Sequence, residues 1–334
     1  MKKWIGLFVT VVLSLVCMSN FVMADTKAGF SIQQVNENGQ TQSQQHYDLL
    51  VPPGQTGKIT IKITNSTNQT ADYEVSLLNS LTNDLGEIVY AENGTQKQAS
   101  QLSRLYAGIQ TVSIGAQQSQ LVSVMVQSPK LNQAGIVLGA INVKKINATN
   151  HNEQKTIQNH YNMQIPVVVR AQEHTKPALD LKLNRVQAGL SIKNETAIKA
   201  TLQNPTNWVI SPMTVKATIT TNNRQKTVYT DVQKKLEVAP QSEVNLPLST
   251  GNTRLKPGKY HLDMVATSGD YTWHFGKNFV ISAKTAELAN SQARHLKSTI
   301  NWVIILIVSL VCIIIILLIL LIVLMYKRRK KDDE

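Results

Sequence analysis

The sequence predicts an all-β protein: two immunoglobulin-like β-sandwich domains in tandem, then a helical stalk and one C-terminal transmembrane helix. Three observations predict it. Apolar and polar residues alternate with period two in short runs separated by turn clusters. That pattern stops at a polar linker and then starts again. Finally, Trp302 to Met325 contains no charged residue.

Taken in order, the chain begins with Lys2 and Lys3, an almost wholly apolar stretch from Ile5 to Val16, and Val22-Met23-Ala24. This is the three-part pattern of a secretory signal, expected to occupy residues 1–24 and to be cleaved before Asp25. Val16 is bulkier than a lipidation site accepts before its cysteine, which sets the pattern against a lipoprotein at Cys17.

The first domain is expected over residues 25–172. Ile59-Thr60-Ile61-Lys62-Ile63-Thr64 alternates as a half-buried strand does, and so do Tyr73, Val75 and Leu77, and Val122, Val124 and Val126. Ile136 to Val143 and Ile165 to Val169 are short apolar runs suited to buried strands. Between these lie Pro52-Pro53-Gly54, Asn65-Ser66-Thr67-Asn68, Asn93-Gly94 and Gly115-Ala116, where turns are expected. Ala99 to Ala107 is the one candidate helix. Short strands at this spacing predict a sandwich.

Residues 171–178 are polar, are punctuated by Pro177, and read as a linker. A second sandwich is expected over residues 173–283. Leu179, Leu181 and Leu183 alternate, followed by Val215, Ala217 and Ile219, and by Val244, Leu246 and Leu248. Tyr260, Leu262, Met264 and Ala266 run into Thr267-Ser268-Gly269-Asp270, after which Tyr271, Trp273 and Phe275 alternate again, a hairpin signal. Residues 284–301, with Ala286, Leu288, Ala289, Ala293 and Leu296 among polar neighbours, predict the stalk.

At about 1.5 Å per residue, a helix over residues 302–325 crosses a hydrocarbon core of roughly 30 Å. Trp302 and Tyr326 bracket it as interfacial aromatics. Residues 326–334 carry five consecutive basic groups from Lys327 to Lys331, which the positive-inside rule places in the cytoplasm. The expected location is the cell membrane, single-pass, with the N-terminal portion outside.

Charge is uneven outside the membrane. Residues 25–172 hold ten basic and nine acidic side chains, whereas residues 173–301 hold seventeen and nine. The membrane-proximal half is therefore the basic one, a charge that would attract anionic polymers by its long-range field if it were concentrated. Its lysines are spread along the chain, as in an ordinary solvated surface.

Catalytic patterns are missing. None of the seven histidines has the spacing of a helical zinc motif, and no cysteine lies between residues 25 and 301 to complete a metal site. His261 and His274 fall on the proposed hairpin and read as strand histidines facing solvent. There is no Gly-x-Ser-x-Gly elbow, P-loop or Gly-x-Gly-x-x-Gly. Carboxylates are too sparse to form an acid–base pair, which sets the chain against a polysaccharide hydrolase. The expectation is a non-enzyme without cofactor or metal. No nucleic-acid role is expected, because the basic half lacks interleaved aromatics. Leu246-Pro247-Leu248-Ser249-Thr250-Gly251 approximates a sortase signal with one residue too many and lies well before the apolar helix. It reads as a strand ending in a turn.

Several longer motifs remain. They are Tyr47-Asp48-Leu49-Leu50-Val51-Pro52-Pro53-Gly54-Gln55, Ile61-Lys62-Ile63-Thr64-Asn65, Thr82-Asn83-Asp84-Leu85-Gly86-Glu87-Ile88-Val89-Tyr90, and Ala134-Gly135-Ile136-Val137-Leu138-Gly139-Ala140-Ile141 after Pro129. Asn204-Pro205-Thr206, Ala239-Pro240-Gln241-Ser242, Leu255-Lys256-Pro257-Gly258-Lys259-Tyr260, Trp273-His274-Phe275 and Phe279-Val280-Ile281 follow. In this order the chain resembles the WxL-interacting protein family of Gram-positive bacteria, and the absence of extracellular cysteine fits such a source. The resemblance covers nearly the whole chain after the signal. It departs at Gln133-Ala134, where an aromatic is usual before the glycine, and at Ala140, where a second glycine is usual.

The resemblance implies a peptidoglycan-binding domain followed by a host-binding domain. The partners it implies are peptidoglycan, WxL-domain surface proteins and host extracellular matrix proteins. No Trp-x-Leu occurs at Trp4, Trp208, Trp273 or Trp302, so the chain is expected to be the membrane-held partner. Candidate partner-binding residues are Asn83, Gly86, Tyr90, Gly135, Gly139, Trp208 and Trp273. Gly86 and Gly258 are expected in turn conformations. Tyr90 and Trp273 read as packing residues, and Gly135 and Gly139 as points of close backbone approach or a bulge. The function expected is a non-catalytic surface scaffold or adhesin. The alternative is a surface receptor recruiting a cytoplasmic partner through Lys327 to Lys331, against which the short tail argues.

Overall fold

The computed structural model describes residues 28–36, 40–41, 46–92, 101–106, 108–130, 134–146, 161–173, 177–221, 223–294, 296 and 302–332. The expected signal peptide, most of the candidate helix flanks and four of the histidines (His151, His160, His174 and His295) lie outside them.

Alternation builds the first domain as expected. β1 (Phe30–Gln34), β3 (Thr56–Asn65) and β7 (Ser119–Gln127) form a three-stranded antiparallel sheet in the order β1-β3-β7. Ile59, Ile61 and Ile63 turn inward from β3, while Lys58, Thr60 and Lys62 turn outward. Opposite lies a six-stranded sheet of β2 (Tyr47–Leu50), β9 (Asn162–Arg170), β8 (Ile136–Ile146), β4 (Ala71–Thr82) and β5 (Ile88–Ala91), with β6 (Gln110–Ile114) on the other end of β4. Phe30 and Tyr73 meet in the core with ring centroids 5.2 Å apart.

β2 escapes a reading by alternation. It is four residues long and pairs in parallel with β9, its sequence-distant neighbour, where Arg170 grips Asp48 through two hydrogen bonds of 2.9 and 2.7 Å. The candidate helix at Ala99 to Ala107 is reduced, among the described residues, to one 3-10 turn at Leu102–Leu105. Its Leu102 and Leu105 are spent on the core, so no longer amphipathic face is left to bury.

The second domain repeats the plan. β10 (Lys182–Leu190), β11 (Thr196–Gln203) and β14 (Glu243–Ser249) face a four-stranded sheet of β13 (Thr227–Val238), β12 (Ile210–Thr221), β15 (Gly258–Ser268) and β16 (Tyr271–Ile281). The predicted hairpin is β15–β16, turning at Gly269 with φ 54°. The sortase-like segment is β14, with Leu246 and Leu248 buried, ending in a turn at Gly251 with φ 64°. Gly258 is a correction. It opens β15 without a left-handed φ, and a Cβ there would meet the Tyr260 ring at 3.4 Å.

The expected stalk begins as part of this domain. α1 (Ala283–Gln292) is capped by Ser282, whose Oγ accepts the Thr285 N–H at 3.0 Å. Small side chains three apart, Ala286 and Ala289, let the helix lie against the sandwich. Asn290 locks it there by accepting from Leu255 N–H at 2.8 Å and donating to Leu255 C=O at 2.9 Å. α2 (Trp302–Asp332) then runs unbroken through the basic residues. Its segment Ile305–Val323 is long and apolar enough to cross a membrane and is not buried against any other of the described residues.

Candidate functional site

An asparagine organises one corner of each sandwich. Asn65 Nδ2 donates to the carbonyls of Gln69, Ile114 and Gly115 at 2.8, 3.0 and 3.0 Å, while its Oδ1 accepts from the Thr67 N–H and hydroxyl at 3.0 and 2.7 Å. Asn204 does the same with Trp208, Val238 and Ala239, and with Thr206. Both are fully buried. The Asn65-Ser66-Thr67 sequon is thus a structural turn whose amide is consumed by hydrogen bonds.

The second of these corners meets the first domain. The Ile136 N–H donates to the Asn207 carbonyl at 2.8 Å. Gly135 lies so close that a Cβ would fall 2.2 Å from Asn207 Cβ and 2.6 Å from its carbonyl oxygen. The close backbone approach expected at Gly135 is therefore present, and the approaching backbone belongs to the same chain.

The β4–β5 turn supplies the rest of the junction. Asn83 folds it, accepting the Leu85 and Glu87 N–H groups on Oδ1 at 2.9 and 3.0 Å. Gly86, at φ 72°, turns its carbonyl to the Glu237 N–H at 2.7 Å, and a Cβ there would sit 2.6 Å from Leu236 Cδ2. Beside it the Ala239 N–H donates to Thr82 Oγ1 at 2.9 Å and the Ser242 hydroxyl donates to the Ala239 carbonyl at 2.9 Å. The Thr82 hydroxyl then donates to Ser242 Oγ at 2.7 Å and closes a ring of three bonds across the two domains. Lys199 and Asp84 add an ion pair at 3.2 Å.

The other candidates fall in different places. Gly139 faces inward, where a Cβ would clash with the Leu78 carbonyl at 2.2 Å and Leu102 Cδ2 at 2.6 Å; it is the seat of the 3-10 turn. Trp208 is half-buried in the Asn204 corner, next to the junction. Trp273 is remote from both, stacked on Tyr271 at 5.8 Å and packed partly on the second core. Tyr90 is half-buried near Glu237, and burial first, then that carboxylate, pushes its hydroxyl pKa up. It also lines a groove of about 300 Å³ with Leu78, Glu92, Asn142, Lys144 and Gln164. Sequence reading missed these amides because each sits alone in its own strand.

The histidine expectation needs correcting. His274 is exposed, but His261 is buried. Arg224 donates to its Nε2 at 2.7 Å, so that nitrogen is the acceptor and Nδ1–H donates to Asn278 Oδ1. Asp263 Oδ1 stands 3.2 Å from Nε2. Register pairs His261 with Asn278 and His274 with Val265, so the two histidines are not cross-strand partners.

Fold and junction together define a protein of the tandem immunoglobulin-like class, its two sandwiches bonded end to end. The chain belongs to the WxL-interacting protein family. The family model for the WxL Interacting Protein peptidoglycan binding domain matches residues 30–145, and that for the host binding domain matches residues 152–291. The second match includes β9, which completes the first sandwich. These are binding domains, and they make the chain a cell-surface binding protein.

Solved structures give distant likenesses. The E. coli chaperone DraB is 16% identical, covering 76% of this chain and 98% of its own, with a TM-score of 0.30. The CsuC-CsuE chaperone-tip adhesion subunit complex of Acinetobacter baumannii is 10% identical over 74% and 97%, with a TM-score of 0.34. A PapD-like domain of human CEP192 is 10% identical over 44% and 88%, with a TM-score of 0.26. No curated protein matches the chain.

Proposed function

We propose that this protein is a non-catalytic, membrane-anchored scaffold and adhesin of a Gram-positive surface. Its signal peptide is removed, α2 holds it in the cell membrane and the basic end faces the cytoplasm. The first domain grips peptidoglycan, WxL-domain proteins assemble on the ectodomain, and the basic second domain meets host matrix proteins.

One observation carries this reading: the two family domains occur in order and are joined by a seam of direct hydrogen bonds, so a load on one is transmitted to the other. A hinge between free domains would not do this.

The test is a pull-down with the protein in detergent micelles, offered purified peptidoglycan and a surface extract from its own organism, at low and high salt. Retention of wall material and of WxL proteins at both salts is expected. Binding that vanishes at high salt would reduce the interaction to the charge of residues 173–301 and sink the assigned domain roles. Removing Lys327 to Glu334 should leave surface binding intact; its loss would favour a receptor.

A further inference from the structure

The outer face of the six-stranded sheet carries a row of amides that neither the core nor the junction uses. On β4, β8 and β9 one parity of side chains fills the core, including Tyr73, Val75, Ile141, Val143, Val167 and Val169. The other parity points away from it. Antiparallel register then aligns Ser76, Asn142 and Gln164 in one row, and Glu74, Lys144 and Asn162 in the next. β5 sets Tyr90 opposite Ser80 on the same face.

The result is the groove of about 300 Å³, at the small end of the range of about 300–1,000 Å³ for ligand sites. Leu78 and Asn142, each 3% exposed, form its floor. Gln164 Nε2 donates to Asn142 Oδ1 at 3.4 Å, and Asn142 Nδ2 donates to Ser76 Oγ at 3.4 Å. Both contacts are long for hydrogen bonds, and each uses one N–H of an amide that has two. Gln164 also keeps its carbonyl oxygen. Tyr90 borders the groove with an aromatic ring, and Lys144 and Glu92 set one charge of each sign among its lining groups.

Resting on the wall-binding reading of the first domain, we infer that this groove binds the N-acetylated amino-sugar backbone of the wall glycan. Paired amide donors and acceptors match acetamido groups and hydroxyls, the Tyr90 ring matches a sugar's C–H face, and Leu78 receives the acetyl methyl. Lys144 meets a carboxylate of the attached lactyl or peptide group. A strongly anionic polymer is a poorer fit, because Glu92 lies in the same groove.

The experiment uses the full-length protein in micelles and titrates it with N-acetylchitotetraose and with its deacetylated counterpart, alongside retention on purified sacculi. Tyr90→Ala and Gln164→Ala are compared with the parent, and thermal unfolding confirms that each folds. The acetylated oligomer should bind and the deacetylated one should not. Each variant should weaken binding roughly tenfold, the loss of one good contact. Lys144→Gln should weaken sacculus binding and spare the oligomer.

If folded variants hold sacculi and oligomer as the parent does, the groove is not the site, and wall binding by the domain stands. If the parent holds sacculi but ignores the oligomer, the glycan assignment is overturned. If the parent is not retained on sacculi either, the wall-binding reading falls with it.

Discussion

Asn65 and Asn204 build the same corner in the two domains, down to the one glutamine that braces each. Gln117 and Gln241 both stand at φ 56°. Each donates its backbone N–H to the threonine carbonyl of its corner, Thr67 at 3.1 Å and Thr206 at 2.9 Å. Each aims Nε2 at the next carbonyl back, Ser66 at 3.0 Å and Pro205 at 2.7 Å, and at an asparagine, Asn68 at 3.2 Å and Asn207 at 3.0 Å. What differs is the neighbour. Asn207 presents its carbonyl to Ile136 of the first domain, whereas Asn68 lines an open hollow with Asp72 and Lys145. The same local chemistry closes a fold at one end and joins two folds at the other.

The largest expected effect breaks this equivalence. Asn65→Ala and Asn204→Ala each strip a buried network and should cost about 3–5 kcal/mol of stability in their own domain. Only Asn204→Ala should also uncouple the domains. Calorimetry of the ectodomain checks it: a separate second transition for Asn204→Ala and none for Asn65→Ala is the expected pattern.

Next in size is an alkaline contrast. Burial pushes the Tyr47 hydroxyl up to about 12, against the weaker opposing effect of a backbone hydrogen bond at Val35. The folded state holds this proton more tightly than the unfolded chain, whose tyrosine titrates near 10. The stability it confers, about 2–3 kcal/mol, is complete below pH 10 and is lost as pH rises through 12. Denaturant midpoints of the first domain should fall across that window. Tyr47→Phe should flatten the fall; an unchanged slope would assign it elsewhere.

Gly135→Val tests the seam itself. Its side chain has no room beside Asn207, so the contact and the Ile136 hydrogen bond should go, costing about 1–2 kcal/mol of coupling. Small-angle scattering should show a wider spread of domain angles, with both domains still folded. The smallest effect is expected for Lys199→Ala, under about 1 kcal/mol, because the partly exposed pair with Asp84 is screened by water and salt.

Much of this was legible in advance. Period-two alternation located β3, β4, β7 and the β15–β16 hairpin, because each side chain's choice of face follows from its own strand, and short apolar runs located β8 and β9. The short β2 and β5 carry too few residues to show a period, and β11 and β13 went unread. Among the candidate site residues, Gly86 was rightly placed in a turn, as its φ of 72° requires. Nothing local distinguished Gly135, which faces Asn207, from Gly139, which seats Leu102.

The sequence by itself determined the all-β class, the uncharged helix, the order of the two domains and the family, since each is written in neighbouring residues and their spacing. Tertiary structure alone decided where the two sandwiches touch, what each glycine makes room for, and that Ser76, Asn142 and Gln164 share one row. Asn142 and Ser76 are 66 positions apart, and Gln164 and Asn142 are 22. Such residues meet only through strand pairing, and one residue's slip in register would carry them to the opposite face.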